Sequence, residues 1–204
     1  MDDFSKISAT TVLSFWFGGA ALDQTPPTAL RKRWFSGDKA FDEEIRRQFG
    51  HVVEVALSRG MPDWGDTLQA QLALVLLCDQ FTRNIYRGSA LAFAGDPRAL
   101  ATSQAIVGHS DLSALGLHQR AFFGMPLEHS ESPEVQAQSV AYFQRLMEDY
   151  EGTPESQLAR SYFQFAVKHR DVINAFGRFP HRNTALGRTS TADEQRWLSA
   201  GGGF

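Results

Sequence analysis

Cysteine is almost missing from this chain. The single thiol, Cys78, excludes an internal disulfide. It sits in the apolar run from Leu72 to Cys78, where burial suits a small side chain and disfavours a nucleophilic thiolate. No apolar run approaches the ~20 residues that cross a bilayer, and the start, Met1-Asp2-Asp3-Phe4-Ser5-Lys6, lacks the basic and apolar regions of a signal peptide. These absences predict a cytoplasmic chain with no membrane partner. A dominant charge is lacking as well: a net charge of -3 and a pI near 6.1 give no field that gathers a polyanion, so no nucleic-acid partner is expected. Alternating β-branched runs joined by hairpin turns are absent, which removes a sheet. So are the Walker A loop, a Gly-x-Gly-x-x-Gly after a strand, and a Gly-x-Ser-x-Gly elbow, which removes the common enzyme signatures.

What is present is helix punctuation. Hydrophobic residues at 43%, charged residues at 21% and 16 phenylalanines fit an ordinary globular core built from large rings. Thr10 is placed to cap a first helix that Gly18 and Gly19 stop, and a short helix carries Leu30 and Trp34. A longer one runs from about Lys39 to Arg59, and Asp66 with Gln69 suggests a capping box for a helix that turns apolar on every side through Cys78. Asp96-Pro97, Ser132-Pro133 and Thr153-Pro154 repeat one start signal, and Thr191 with Glu194 opens the last helix. The expectation is an all-α fold of about seven helices packed as antiparallel hairpins. One domain spans 1-200, with 201-204 as a Gly-rich tail. No repeat of ~34 residues with its consensus landmarks is found.

Three segments concentrate polar groups beside apolar neighbours. In the first, Asp79, Arg83 and Arg87 recur at i, i+4 and i+8, with Gln80 and Asn84 on the adjacent stripe. In the second, Glu128, His129 and Glu131 crowd together after Met125-Pro126-Leu127, an arrangement able to shift a carboxyl or imidazole toward neutrality. In the third, Arg178, His181, Arg182 and Arg188 fall in a stretch, Val172 to Ala192, with no acidic residue. Positive charge without local neutralisation must be solvated, paired at a distance, or matched to an anion. Each segment therefore has two open readings, a ligand site and a structural ion pair, the latter with Asp79, Glu128 and Glu131 as the arginines' distant partners. His129, His169 and His181 are metal-ligand types, but without His-Glu-x-x-His or Glu-x-x-His spacing no metal or cofactor is expected.

Val12-Leu13-Ser14-Phe15-Trp16-Phe17-Gly18, Arg33-Trp34-Phe35, Phe41-Asp42, Asp79-Gln80-Phe81-Thr82-Arg83-Asn84, Met125-Pro126-Leu127-Glu128-His129-Ser130-Glu131, Gly177-Arg178-Phe179-Pro180-His181-Arg182-Asn183 and Leu186-Gly187-Arg188 occur in this order along nearly the whole chain. Together they resemble the bacterial domain-of-unknown-function family nine-two-four. That resemblance implies an all-helical fold of the tetratricopeptide-like (TPR-like) superfamily and no particular activity. Thr82 departs from it, standing where the pattern has a proline, which bears on the local backbone.

The leading expectation is a site for a small anionic ligand. Arg83, Asn84, Arg178, His181, Arg182 and Arg188 would hold it, and Glu128, His129 and Asp79 would supply acid-base chemistry. The rival is a TPR-like scaffold for a protein partner, in which the polar motifs are only an ion-pair network.

Overall fold

The computed structural model describes residues 7–19, 22–23, 25–108 and 110–203. Among them there is no strand, and nine helices form. These are α1 (Ala9–Phe17), α2 (Thr28–Trp34), α3 (Lys39–Arg59), α4, α5 (Asp96–Val107), α6 (Leu117–Glu128), α7 (Pro133–Asp149), α8 (Ser156–Phe176) and α9 (Ala192–Ser199). Helix α4 is one continuous rod in three parts, with Leu68–Val75, a π-helical stretch Leu76–Phe81, and Thr82–Ile85. The all-helical expectation holds, whereas the count of about seven is too low.

The main omission is α6. It carries Gly124 and Pro126 in its interior, and Ala121, Phe122, Phe123, Met125 and Leu127 are all buried. Its buried residues include His118 and Gln119 among the apolar ones, so no 3.6-residue apolar stripe marks it, and an internal proline reads as a boundary. Burial compensates for both.

Several caps fall beside their expected positions. Ser8, not Thr10, caps α1 and forms a capping box with Thr11. Thr67, not Asp66, caps α4. Asp96 lies inside α5, with Gly95 before it, because its carboxylate is committed to Arg83. Thr153 bonds back to the Tyr150 carbonyl in a turn, so α8 starts at Ser156. Ser132 and Thr191 cap α7 and α9 as expected, and Thr191 forms its box with Glu194.

The backbone packs into two compact units. The first comprises residues 1–87 and 91–126, the second 88–90 and 127–204. In the first unit α4 is central, with α1, α3 and α5 packed on it. Its core is aromatic: Trp16 stacks on Trp34 at 5.7 Å, and Phe41, Phe81 and Phe122 surround Trp16. The Trp34 indole N–H donates to the Trp16 carbonyl at 3.0 Å, which satisfies a polar atom that burial otherwise penalises. Cys78 is fully buried and its thiol is pushed up to about 12, chiefly by that burial, as the inert reading requires.

In the second unit α7 and α8 form a helical hairpin through a short turn. Phe143 stacks on Tyr162 across it at 6.3 Å. Gly177 ends α8 in the left-handed conformation, φ 69°, where a side chain is disfavoured, and so releases the polar loop that follows. Phe179 anchors that loop in a small core with Val172 and Ile173.

Candidate functional site

The expected site residues divide between the two units. In the first, Asp79 is 1% exposed within the π-helical stretch. Its carboxylate lies 3.1 Å from Arg83. Arg83 also forms a two-pronged pair with Asp96, at 2.8 and 3.2 Å, and lies over the Phe93 ring. Burial alone would lower the Arg83 pKa, but Asp79 and Asp96 outweigh it and raise it. Arg87 leaves the expected stripe. It pairs with Asp42 instead, which also accepts from Asn84 at 2.7 Å. Burial raises the Asp42 carboxyl, and the bonds from Arg87 and Asn84 carry it below the usual range. Asp42 and Asp96 were invisible as partners because both lie on other helices, far away in sequence.

Thr82, in place of the pattern's proline, donates its hydroxyl to the Cys78 carbonyl at 2.9 Å, and the Asp79 carbonyl lies 3.2 Å away. A wide π turn leaves carbonyls poorly served by the helix ladder, and the threonine hydroxyl serves two of them. Gly95 is required here, since a Cβ on it would overlap the Cys78 carbonyl.

In the second unit the two remaining motifs meet. Glu131 accepts from the Phe179 N–H at 2.8 Å and from both arms of Arg188, at 2.8 and 3.0 Å. Burial pushes the Glu131 carboxyl up, but the Arg188 and Phe179 bonds hold it below its ordinary value. Arg178 does not reach the carboxylates expected of it. It makes a bidentate pair with Glu194, at 2.6 and 2.9 Å, and Asn183 joins the same carboxylate at 3.2 Å. The Arg178 bond, then that from the Thr191 backbone, bring Glu194 down to about 2. Glu194 was legible only as a capping-box residue, and it fills that role and the ion pair at once.

A second cluster lies beside these pairs. Glu128 ends α6 at 5% exposure, with His169 of α8 3.8 Å from its carboxylate. The ring of His129 is 6.0 Å from that of His169. His169 in turn meets Phe179 edge-on, and the Arg182 guanidinium lies over Phe179 at 4.6 Å and donates to the His129 carbonyl at 3.0 Å. His169 Nδ1 is 2.8 Å from the Phe165 carbonyl, which can only accept, so Nδ1 carries the hydrogen. Burial first, then the charge of His129, push His169 down to about 3, and the ring is neutral at physiological pH. His181 is exposed and His129 half-buried, which gives the cluster a solvent-reachable rim. His169 had a signal in the sequence: it occupies the buried stripe of α8 with Ala166, Val172 and Ile173, where an imidazole is out of place.

Gln136 of α7 fixes the segment that carries this cluster. Its side-chain amide donates to the carbonyls of Glu128 at 2.6 Å and Ser130 at 2.7 Å, serving the end of α6. Among the described residues, no three His, Cys, Asp or Glu side chains gather as metal ligands do. Nor, among the described residues, is any helix long and apolar enough to cross a membrane.

A family model described as a bacterial protein of unknown function (DUF924) matches residues 12–202. A solved structure from Agrobacterium tumefaciens, itself described as a protein of unknown function, is similar, with a TM-score of 0.78 and 31% sequence identity. The match covers 94% of this chain and 97% of that one. No curated protein matches.

Proposed function

The chain belongs to the bacterial DUF924 family of proteins of unknown function, and from the geometry above we propose that its second unit binds a small anionic ligand. Arg182, His129 and His181 hold the anion, and Glu128, beside the neutral His169 ring, moves a proton. One observation carries this reading: a carboxylate and two imidazoles converge at Glu128, His169 and His129, with Glu128 and His169 buried. Burying ionisable groups costs stability, and Glu128 sits at the C-terminal end of α6, where the helix dipole opposes a negative charge. Such an arrangement is poor structural economy and is the kind found at sites of acid-base work.

The remaining arginines take a different role in this proposal. Arg83, Arg178 and Arg188 each face a carboxylate at 3 Å or less. Arg83 and Asn84 tie α4 to α5 and α3 through Asp96 and Asp42, with Asp79 on the same helix as Arg83, while Arg178 and Arg188 fix the loop after α8 through Glu194 and Glu131. The α7–α8 hairpin is the element that TPR-like proteins stack, and we extend the proposal to that superfamily.

Thermal unfolding across a panel of phosphate- and carboxylate-bearing metabolites tests the reading. A ligand that binds only the folded chain raises the melting temperature with its concentration. At least one anion is expected to do so for the wild type and for Arg178→Ala, and to lose its effect in Arg182→Ala, whereas Glu128→Gln, which only removes a negative charge beside the anion, should keep it. If no anion shifts the wild type, the ligand reading falls.

A further inference from the structure

The face of α7 that packs inward carries polar groups that the protein itself leaves unserved. Gln136 and Ser139 are both fully buried, at 0% exposure. The Gln136 amide nitrogen is committed to the carbonyls of Glu128 and Ser130, which fixes the orientation of the amide and turns Oε1 away from them. That Oε1 makes no hydrogen bond among the described residues, and neither does Ser139 Oγ. The two residues stand three apart on one helix, so their side chains lie on the same face, one turn from each other. The next buried positions on α7, Tyr142, Phe143 and Leu146, continue it as an aromatic and aliphatic surface.

Buried amide oxygens and hydroxyls are almost always hydrogen-bonded in folded proteins. Here one group can only accept, and the other can donate or accept. A single small neutral molecule with two O–H bonds satisfies both: one hydrogen goes to Gln136 Oε1, and its oxygen or second hydrogen meets Ser139 Oγ. We propose that Gln136 and Ser139 form an internal binding site for one water molecule. A donor on Oε1 polarises the amide and strengthens the bonds that its nitrogen makes to Glu128 and Ser130. The water is therefore part of what holds the end of α6, and it does so whether or not the neighbouring cluster binds an anion.

Water-selective NMR on the full chain tests this. The side-chain amide protons of Gln136 are expected to show a cross-peak to a long-lived water in the wild type. That peak should fall to background in Ser139→Val, whose extra methyl fills the position, and stay in Ser139→Thr, which keeps the hydroxyl. A high-resolution crystal structure should show the oxygen within hydrogen-bond distance of both side chains. The proposal is overturned if the wild type gives no such cross-peak, or if Ser139 is found turned onto the carbonyl of Val135.

Discussion

At the scale of single residues, the buried histidines set how the protein responds to acid. His169 is held down at about 3 and His118 at about 4, both mainly by burial. The unfolded chain takes up a proton at each below the ordinary value of 6.5, and the folded chain refuses it. Stability is therefore complete above that value and declines as the pH falls toward 4 and 3. Between pH 7 and pH 5 each imidazole accounts for up to about 2 kcal/mol of the loss. Urea unfolding should show that loss in the wild type and roughly half of it in His169→Gln; an unchanged slope in the variant would refute the assignment. Glu194 acts in a lower window. With its carboxyl depressed to about 2, its contribution is present above the ordinary carboxyl range and is lost as the pH falls through it, so Glu194→Gln should flatten that acid limb. The residue types at these sites were readable, and the partners were not. Arg178, Arg188, Glu128, His129 and Arg182 stood out by charge and spacing. Asp96 and Glu194 each already had a local explanation as a helix-start residue, Asp42 had no chemical reading of its own, and nothing in one chain's order says which arginine a distant carboxylate will face.

At the scale of elements, the legible helices were those with a start signal or a polar side. Ser132 and Thr191 begin helices where the pattern placed them, and α3 ends at Arg59 as expected. Helix α6 escaped because burial on every face erased its period. The π-helical stretch of α4 escaped because no local composition encodes an extra residue in a turn. Two substitutions test the account of α4. Gly95→Ala forces a Cβ into the Cys78 carbonyl and should cost about 2 kcal/mol or more, the usual consequence of overpacking against backbone. Thr82→Pro introduces the proline that the sequence resemblance leads one to expect there. In a regular helix interior a proline costs ~3 kcal/mol, because it clashes with the carbonyl four residues back. The preceding turn here is widened, so the cost should stay near ~1 kcal/mol. Chemical denaturation of both variants reads these costs, and a full proline penalty at Thr82 would contradict the reading of α4.

At the scale of the whole molecule, α6 is a single helix whose first ten residues belong to one compact unit and whose last two belong to the other. We expect the chain to unfold as one domain, in a single calorimetric transition whose van't Hoff and calorimetric enthalpies agree; two resolved transitions would show that the units melt independently. The all-helical class was legible, because caps and helical spacing are local signals, but the number of helices was not. Function was not, since the family is itself uncharacterised and the cluster at Glu128 is assembled from α6, α8 and the loop after it. The central claim, an anion site at the His129–His181 rim with buried Arg182 behind it, is met most directly by imidazole NMR. Spectra of all six histidines are recorded at pH 7 while inorganic phosphate and then a dicarboxylate are titrated in. The account predicts saturable shifts of the His129 and His181 resonances with one of these anions, with buried His118 of the first unit unmoved. No saturable shift, or equal drift of every histidine, would contradict it.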